Sequence, residues 1–263
     1  MDRRFATEIR AAIRARVDFI LTAPGAPAPG ATEKAPHDLV TEIDRRLGTD
    51  LAKTLTTLLP GSSATTEDGT GIQGADRYRW IIDPIDGTAN LVMGNTHYCT
   101  SVALEEKGTL CAAFVYHPAA SRVYWSIGQG KAFADDTPIH PSARRELGSA
   151  YVVFGFSANL TNIERYHREW TPAFEESRKA IGLLAPALNI CTVASGAVDA
   201  FIDFGCSSEG QSAAGLILRN AGGTVANYDG TAWDHRTIGI YASNGRVKPT
   251  ELLNLRAIPA GWL

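Results

Sequence analysis

The sequence predicts a mixed α/β fold, and three observations carry that prediction. Apolar residues recur at helical spacing near the start. Short apolar runs rich in aliphatic and aromatic residues recur through the middle of the chain. Helix-like and strand-like segments then alternate in both halves. With 44% hydrophobic and 20% charged residues among 263, the chain has enough apolar material for a full core, which argues against disorder and fibrous structure.

The elements follow in order. Phe5, Ile9, Ile13, Val17 and Ile20 put one apolar stripe on a helix over residues 3–21. The stretch from Ala23 to Thr32 is dense in proline and glycine and reads as a loop. Ile43, Leu47, Leu51, Leu55 and Leu58 mark a second helix, which should stop before Pro60 because proline disfavours helix in its predecessor. Asp38 or Thr41 suits its N-cap, while Asp44 falls off the apolar stripe. Trp80-Ile81-Ile82 reads as a buried strand running into a turn at Asp83-Pro84, followed by strands at Ser101–Leu104, Ala112–Tyr116 and Val123–Ser126. A polar stretch from Pro138 to Arg145 marks a boundary between an N-terminal half, 1–145, and a C-terminal half, 146–263. Beyond it come a strand at Tyr151–Phe156, a helix at Ile163–Lys179, a short helix at Asn189–Ser195 and a strand at Val198–Phe204. A small-residue helix at Ser212–Asn220 is ended by Gly222-Gly223, and Gly239–Ala242 is the last strand.

Charge and composition narrow the function classes. A net charge of −3 argues against a life on nucleic acid or on an anionic membrane surface. No run of 18 apolar residues exists, so no membrane span is expected. Cys99, Cys111, Cys191 and Cys206 form no CxxC pair and have no histidines at zinc spacing, so they read as buried free thiols of a reducing compartment. Asp2, Arg3 and Arg4 open an amphipathic helix rather than the apolar block of a leader, and the cytoplasm is the expected location. Gly69-Thr-Gly71-Ile-Gln-Gly74 matches GxGxxG but precedes a strand, whereas a dinucleotide loop follows one. Asn159-Leu160-Thr161 reads as a chance sequon, and the six scattered histidines argue against a histidine metal cluster.

The informative segment is Trp80 to Asn90, WIIDPIDGTAN. Asp83 and Asp86 flank a Pro-Ile pair at the end of an apolar strand. Two carboxylates so placed can converge on one point, where they would hold a hard divalent cation such as magnesium. They can equally serve an Asp-rich turn that caps backbone amides. Asp38-Leu-Val-Thr-Glu-Ile-Asp44 and the acidic pair Glu67-Asp68 add further carboxylates upstream.

Together DPIDGTAN, the upstream DLVTEID, Glu67-Asp68 and the late Ala221-Gly222-Gly223 resemble the inositol monophosphatase family, in order and spacing, over nearly the whole chain. The resemblance implies a layered αβαβα sandwich, often a homodimer, that hydrolyses small phosphate monoesters with magnesium. It implies that Glu67, Asp83 and the Ile85 carbonyl hold one magnesium, and that Asp83 and Asp86 share a second. By the same resemblance Thr88, oriented by Asp44, helps Glu67 deprotonate a water, and the Gly87 and Thr88 amides face the phosphate. Lys34 sits where relatives carry a lysine near the metal loop, and Asp203 where a substrate-contacting acid is found.

Three departures stand out. The family's WDxAAG signature would put tryptophan at Glu209 and aspartate at Gly210; a one-residue slip would put Gln211 at the aspartate. That aspartate is the family's helix N-terminal ligand of the second metal, so one site is expected intact and the other weakened or lost. Glu209 could reach in, although adjacent helical residues point about 100° apart. Trp233-Asp234 comes too late in the chain to substitute. The family's Gly-Ser wall beside the substrate is replaced at Leu184-Ala185-Pro186, where Pro186 removes an amide donor, and Thr66 replaces a glycine before Glu67. Three functions remain open: a phosphatase of a small inositol, sugar or nucleotide phosphate; an enzyme using the retained acids for elimination, cyclisation or another hydrolysis; and a non-catalytic binding subunit.

Overall fold

Asp2 starts the first helix by accepting the Phe5 amide hydrogen at 3.0 Å. In the computed structural model, which describes residues 1–21, 32–35, 38–75, 77–155 and 175–247, α1 (Arg3–Ile20) buries Ala6, Ile9, Ile13 and Val17. Of the loop expected from Ala23 to Thr32, residues 23–31 lie outside the described residues, and Thr32 already belongs to a strand. β1 (Thr32–Ala35) and β2 (Asp38–Val40) pair antiparallel and lead into α2 (Glu42–Leu58). Thr41, not Asp38, is the N-cap of α2: its hydroxyl faces the Asp44 amide at 3.3 Å, and the Asp44 carboxylate accepts the Thr41 amide hydrogen at 2.8 Å. This reciprocal pairing satisfies two amides that a helix start leaves without partners.

The N-terminal half builds an eight-stranded sheet. Its strands are β3 (Ser63–Thr66), β4 (Gly71–Ile72), β5 (Tyr78–Asp86), β6 (Cys99–Glu106), β7 (Thr109–His117), β8 (Arg122–Ile127), β9 (Ala132–Ala134) and β10 (Thr137–Pro138). Their spatial order is β10-β9-β8-β7-β6-β5-β3-β4, antiparallel except where β3 pairs β5. A five-residue helix, α3 (Thr88–Val92), follows β5. The C-terminal half builds a second sheet from β11 (Tyr151–Phe154), β12 (Lys179–Gly182), β13 (Ala200–Asp203), β14 (Thr224–Ala226) and β15 (Ile240–Ser243), in the order β12-β11-β13-β15-β14. Two further helices, α4 (Pro186–Ala194) and α5 (Ser208–Ala221), complete the described elements.

The strand period of two sorts β5 between two cores. Trp80 and Ile82 join α1 and α2 through Ile9, Ile13, Leu47 and Leu51. Ile81 faces the other way and meets α4 and α5 through Ile190, Val193 and Ile217, a cluster that also takes in Val153, Phe201 and Ala242 of the second sheet. The two helices are therefore a shared layer between the sheets. Val152, Phe154, Ile202 and Tyr241 lie on the second sheet's outer face. The helix expected at Ile163–Lys179 falls largely outside the described residues, and Lys179 begins β12 instead.

Two boundaries differ from the sequence reading where the site is built. β5 does not stop at Asp83. It runs on to Asp86, with its pairing to β6 irregular between Asp83 and Asp86. Pro84 has no amide hydrogen to donate, so the bulge accommodates it, and its carbonyl accepts the Thr100 hydroxyl at 2.7 Å. The last two helices start earlier than their apolar stripes. Pro186 occupies the first turn of α4 with a fixed φ, and the Ser207 hydroxyl caps α5 by accepting the Gly210 amide hydrogen at 3.2 Å. The polar stretch expected as a boundary is tied down. Arg144 donates to the fully buried Asp199 at 3.1 Å, and Ser142 bonds the same carboxylate.

Thr41→Ala should remove the cap of α2 and lower unfolding free energy by about 1 kcal/mol. Urea titration should show a lower midpoint at unchanged slope.

Candidate metal centre

The end of β5 carries Asp83 and Asp86 toward the layer between the sheets and the Ile85 side chain into the core with α1 and α2, all with exposures of 4% or less. Gly87 then takes φ +95, a conformation closed to most side chains. A Cβ there would also stand 2.9 Å from the Leu184 carbonyl oxygen, so the turn needs glycine on two counts. It brings the Thr88 hydroxyl within 2.9 Å of Asp44 Oδ1 and 3.0 Å of the Ile85 carbonyl. Asp44 thus spends one oxygen on the α2 cap and the other on Thr88.

Asp86 reaches across to the other half. Its Oδ2 accepts the amide hydrogens of Ala187 at 2.8 Å and Leu188 at 3.4 Å, and the Cys99 thiol at 3.4 Å. Ala185, the residue before α4, offers no side-chain cap, so Asp86 caps the helix from outside. The two readings of the aspartate pair, amide cap and cation ligand, are therefore compatible on one carboxylate.

Asp83 is different: its Oδ1 is buried and has no hydrogen-bond partner among the described residues. Burial, then the charges of Glu67, Asp86, Asp44 and Glu209, push its carboxyl well above the usual range. Burial also pushes Asp86 up to about 7, outweighing the hydrogen bonds from Cys99, Leu188 and Ala187. Half-buried Glu67 follows β3, with its amide hydrogen on the Ile82 carbonyl at 3.1 Å. Among the described residues no three His, Cys, Asp or Glu side chains are drawn into a metal-holding group. A hard cation nevertheless fits the chemistry: oxygen donors only, several carboxylates in mutual range, and one buried oxygen left without a proton donor.

The other expected residues sit as follows. Glu209, in the first turn of α5, is half-buried and near enough to raise Asp83. Gly210 has room: a Cβ would meet Ser207 Oγ at 3.4 Å, Cys206 Sγ at 3.5 Å and Pro186 Cβ at 3.8 Å, all ordinary contacts. Gln211 faces elsewhere, donating to the Thr237 carbonyl at 2.7 Å and accepting from the Trp233 indole at 2.8 Å. Asp234 pairs with Arg236 at 3.1 Å on a half-exposed side chain. Asp203 is 2% exposed, and its Oδ1 accepts the Gly205 amide hydrogen at 2.8 Å. The Lys34 side chain lies outside the described residues.

Sequence reasoning missed a set of bonds that join the halves here. Asn90 donates to the His97 carbonyl at 2.6 Å and also to the Leu184 carbonyl. His97 Nε2 meets Asn189 Oδ1 at 2.8 Å, and Asn189 donates to the Leu183 carbonyl at 3.0 Å. Asn90 stands in DPIDGTAN and could have been flagged. The amides of Ala187 and Leu188 carry no side-chain signal at all.

The described residues thus form two sheets around a helical layer, with carboxylates gathered where β5 meets α4. The profile of the Inositol monophosphatase family matches residues 4–258, and the chain belongs to that family. It is 30% identical over 203 residues to an inositol-1-monophosphatase of Mesorhizobium japonicum, covering 75% of each chain. It is 31% identical over 206 residues to the Nus factor SuhB of Pseudomonas aeruginosa, covering 76% of each. Among solved structures, the extragenic suppressor protein SuhB of Bartonella henselae superposes with a TM-score of 0.88 at 26% identity, covering 98% of this chain and 99% of that one.

The raised Asp86 carboxyl gives a pH prediction for the metal-free protein. The folded state holds a proton that the unfolded state releases, so this stability is complete below the ordinary value of 3.8 and lost as pH rises through about 7. Tm should fall between pH 5 and pH 8, and Asp86→Asn should flatten that fall. An equal fall in the variant would assign the effect to other groups.

Proposed function

We propose that the protein is a magnesium-dependent phosphatase of small phosphate monoesters, acting in the cytoplasm as a homodimer. The observation that carries the reading is the buried Asp83 Oδ1 with no proton donor, set among carboxylates that raise its pKa. Glu67, Asp83 and the Ile85 carbonyl would hold one magnesium, and Asp83 with Asp86 a second, more weakly for want of a carboxylate at Gly210. When bound, magnesium lowers the pKa of a neighbouring water and stabilises charge on the phosphoryl oxygens.

The chain's own groups then divide the work. Thr88 has one hydroxyl hydrogen, held toward Asp44 or the Ile85 carbonyl, so its lone pairs face outward to orient a water. Glu67 takes the water's proton. The water oxygen bonds to phosphorus as the ester P–O bond breaks, and the departing alcohol oxygen keeps the electron pair and takes a proton from solvent. The Gly87 and Thr88 amides orient the phosphate. Glu209 and Asp203 stand on the leaving-group side. A second reading, a binding subunit that keeps the metal centre for stability, is favoured by Gly210 and by relatives named Nus factor SuhB.

Phosphate release from inositol, sugar and nucleotide monophosphates, with and without magnesium, separates these readings. Asp83→Asn should cut magnesium-dependent release by about a hundredfold or more, and Thr88→Ala by about 10²-fold. Gly210→Asp, for which the backbone has room, should lower the magnesium concentration needed for half-maximal rate. Magnesium-raised Tm with no release from any ester would leave the binding subunit standing.

A further inference from the structure

The wall of the site formed by residues 183–188 has few polar groups left to offer a substrate. Pro186 has no amide hydrogen. Those of Ala187 and Leu188 are taken by Asp86, and that of Leu183 by the Phe154 carbonyl. The carbonyls are occupied as well: Leu183 by Asn189, Leu184 by Asn90, and Ala185 by the Asn189 amide. What remains is the amide hydrogens of Leu184 and Ala185 and the side chains of Leu183, Leu184 and Pro186, each side chain half-buried. The wall stands against the phosphate-facing turn, since a Cβ on Gly87 would meet the Leu184 carbonyl oxygen at 2.9 Å and the Ala185 Cβ at 3.1 Å.

We infer that this wall selects phosphate esters whose alcohol presents an apolar face, against hydroxyl-rich polyols; the inference rests on the phosphatase reading. Hydroxyls turned to this wall, rather than to Glu209 and Asp203, lose water and find few partners in return. An apolar ring loses nothing and buries its surface against Leu184 and Pro186. Discrimination of this kind is modest, because an apolar pocket rejects an added hydroxyl only by about 10–100-fold. Leu184 and Pro186 are thus specificity-determining residues. Pro186 acts by removing a donor, and Leu184 by supplying surface.

Cyclohexyl phosphate and myo-inositol 1-phosphate share a ring and differ in hydroxyls, so they isolate the effect. With magnesium, kcat/KM should be about tenfold higher for cyclohexyl phosphate, and Leu184→Ser should narrow that ratio at least threefold. Equal or better turnover of the inositol ester by the wild-type protein would overturn the inference while leaving the phosphatase reading intact. No release of phosphate from either ester, in protein whose Tm rises with magnesium, would instead remove the phosphatase reading. Thermal stabilisation by the two esters would then judge the wall alone: stronger stabilisation by cyclohexyl phosphate supports it, and equal or weaker stabilisation rejects it.

Discussion

The Asp86 carboxylate forms one of the links that join the two halves of the molecule, and the one on which the site depends. It leaves the bulged end of β5 and closes the amide end of α4, a helix whose own sequence supplies no cap. A buried carboxylate is costly unless hydrogen bonds and opposite charge offset its lost hydration. Two amides and a thiol supply the hydrogen bonds, yet the carboxyl still rises to about 7, so the described residues supply too little opposite charge to offset its burial. Asp83 shows the same deficit more sharply, with one oxygen lacking any partner. A cation would complete this arrangement electrostatically, and the fold and the proposed chemistry would then draw on one interaction.

That constraint accounts for much of the local sequence. Pro84 fixes the bulge, and Gly87 admits the turn that its φ of +95 and the Leu184 carbonyl leave to glycine alone. Thr41 and Asp44 join the α2 cap to Thr88, so a helix start positions a hydroxyl beside the acids. Asn90, His97 and Asn189 fasten residues 183–189 over the same turn. The sheets supply rigidity: Trp80, Ile81 and Ile82 are buried on alternating faces immediately before Asp83.

The helices were legible in the sequence because their apolar stripes are long: Ile9, Ile13 and Val17 are buried, as are Leu47, Leu51 and Leu55. The acids of DPIDGT were legible because five polar or conformationally special residues crowd into six positions. What escaped was set by distant contacts. β3, β4 and β12 are short strands with no apolar alternation in their sequence; β3 pairs along β5, β12 along β11, and β4 along β3 in turn. The start of α4 depends on a carboxylate 101 positions away, beyond any local window. Gln211 matched a slipped version of the acidic signature, and only its bonds to Thr237 and Trp233 show it to be a tether between α5 and the chain that follows.

The departures from the family pattern fall mainly on one side of the site. The groups proposed to activate water come from α2, the end of β3, β5 and the turn after it, and all of them are present: Asp44, Glu67, Asp83, Asp86 and Thr88. The changed positions, 184–186 and 210, lie at the starts of α4 and α5, on the side proposed for the leaving group. The changes leave the bulge and glycine of the β5 turn in place, and the bonds from Asp86 and Asn90 to the start of α4 use backbone groups that persist whatever side chains stand at 184 and 185. A residue at Gly210 sits over Cys206 and Pro186 with ordinary clearance, so loss of the carboxylate there removes charge without disturbing packing. The same fold can therefore keep its water-activating half while its leaving-group half takes on a different alcohol, or none.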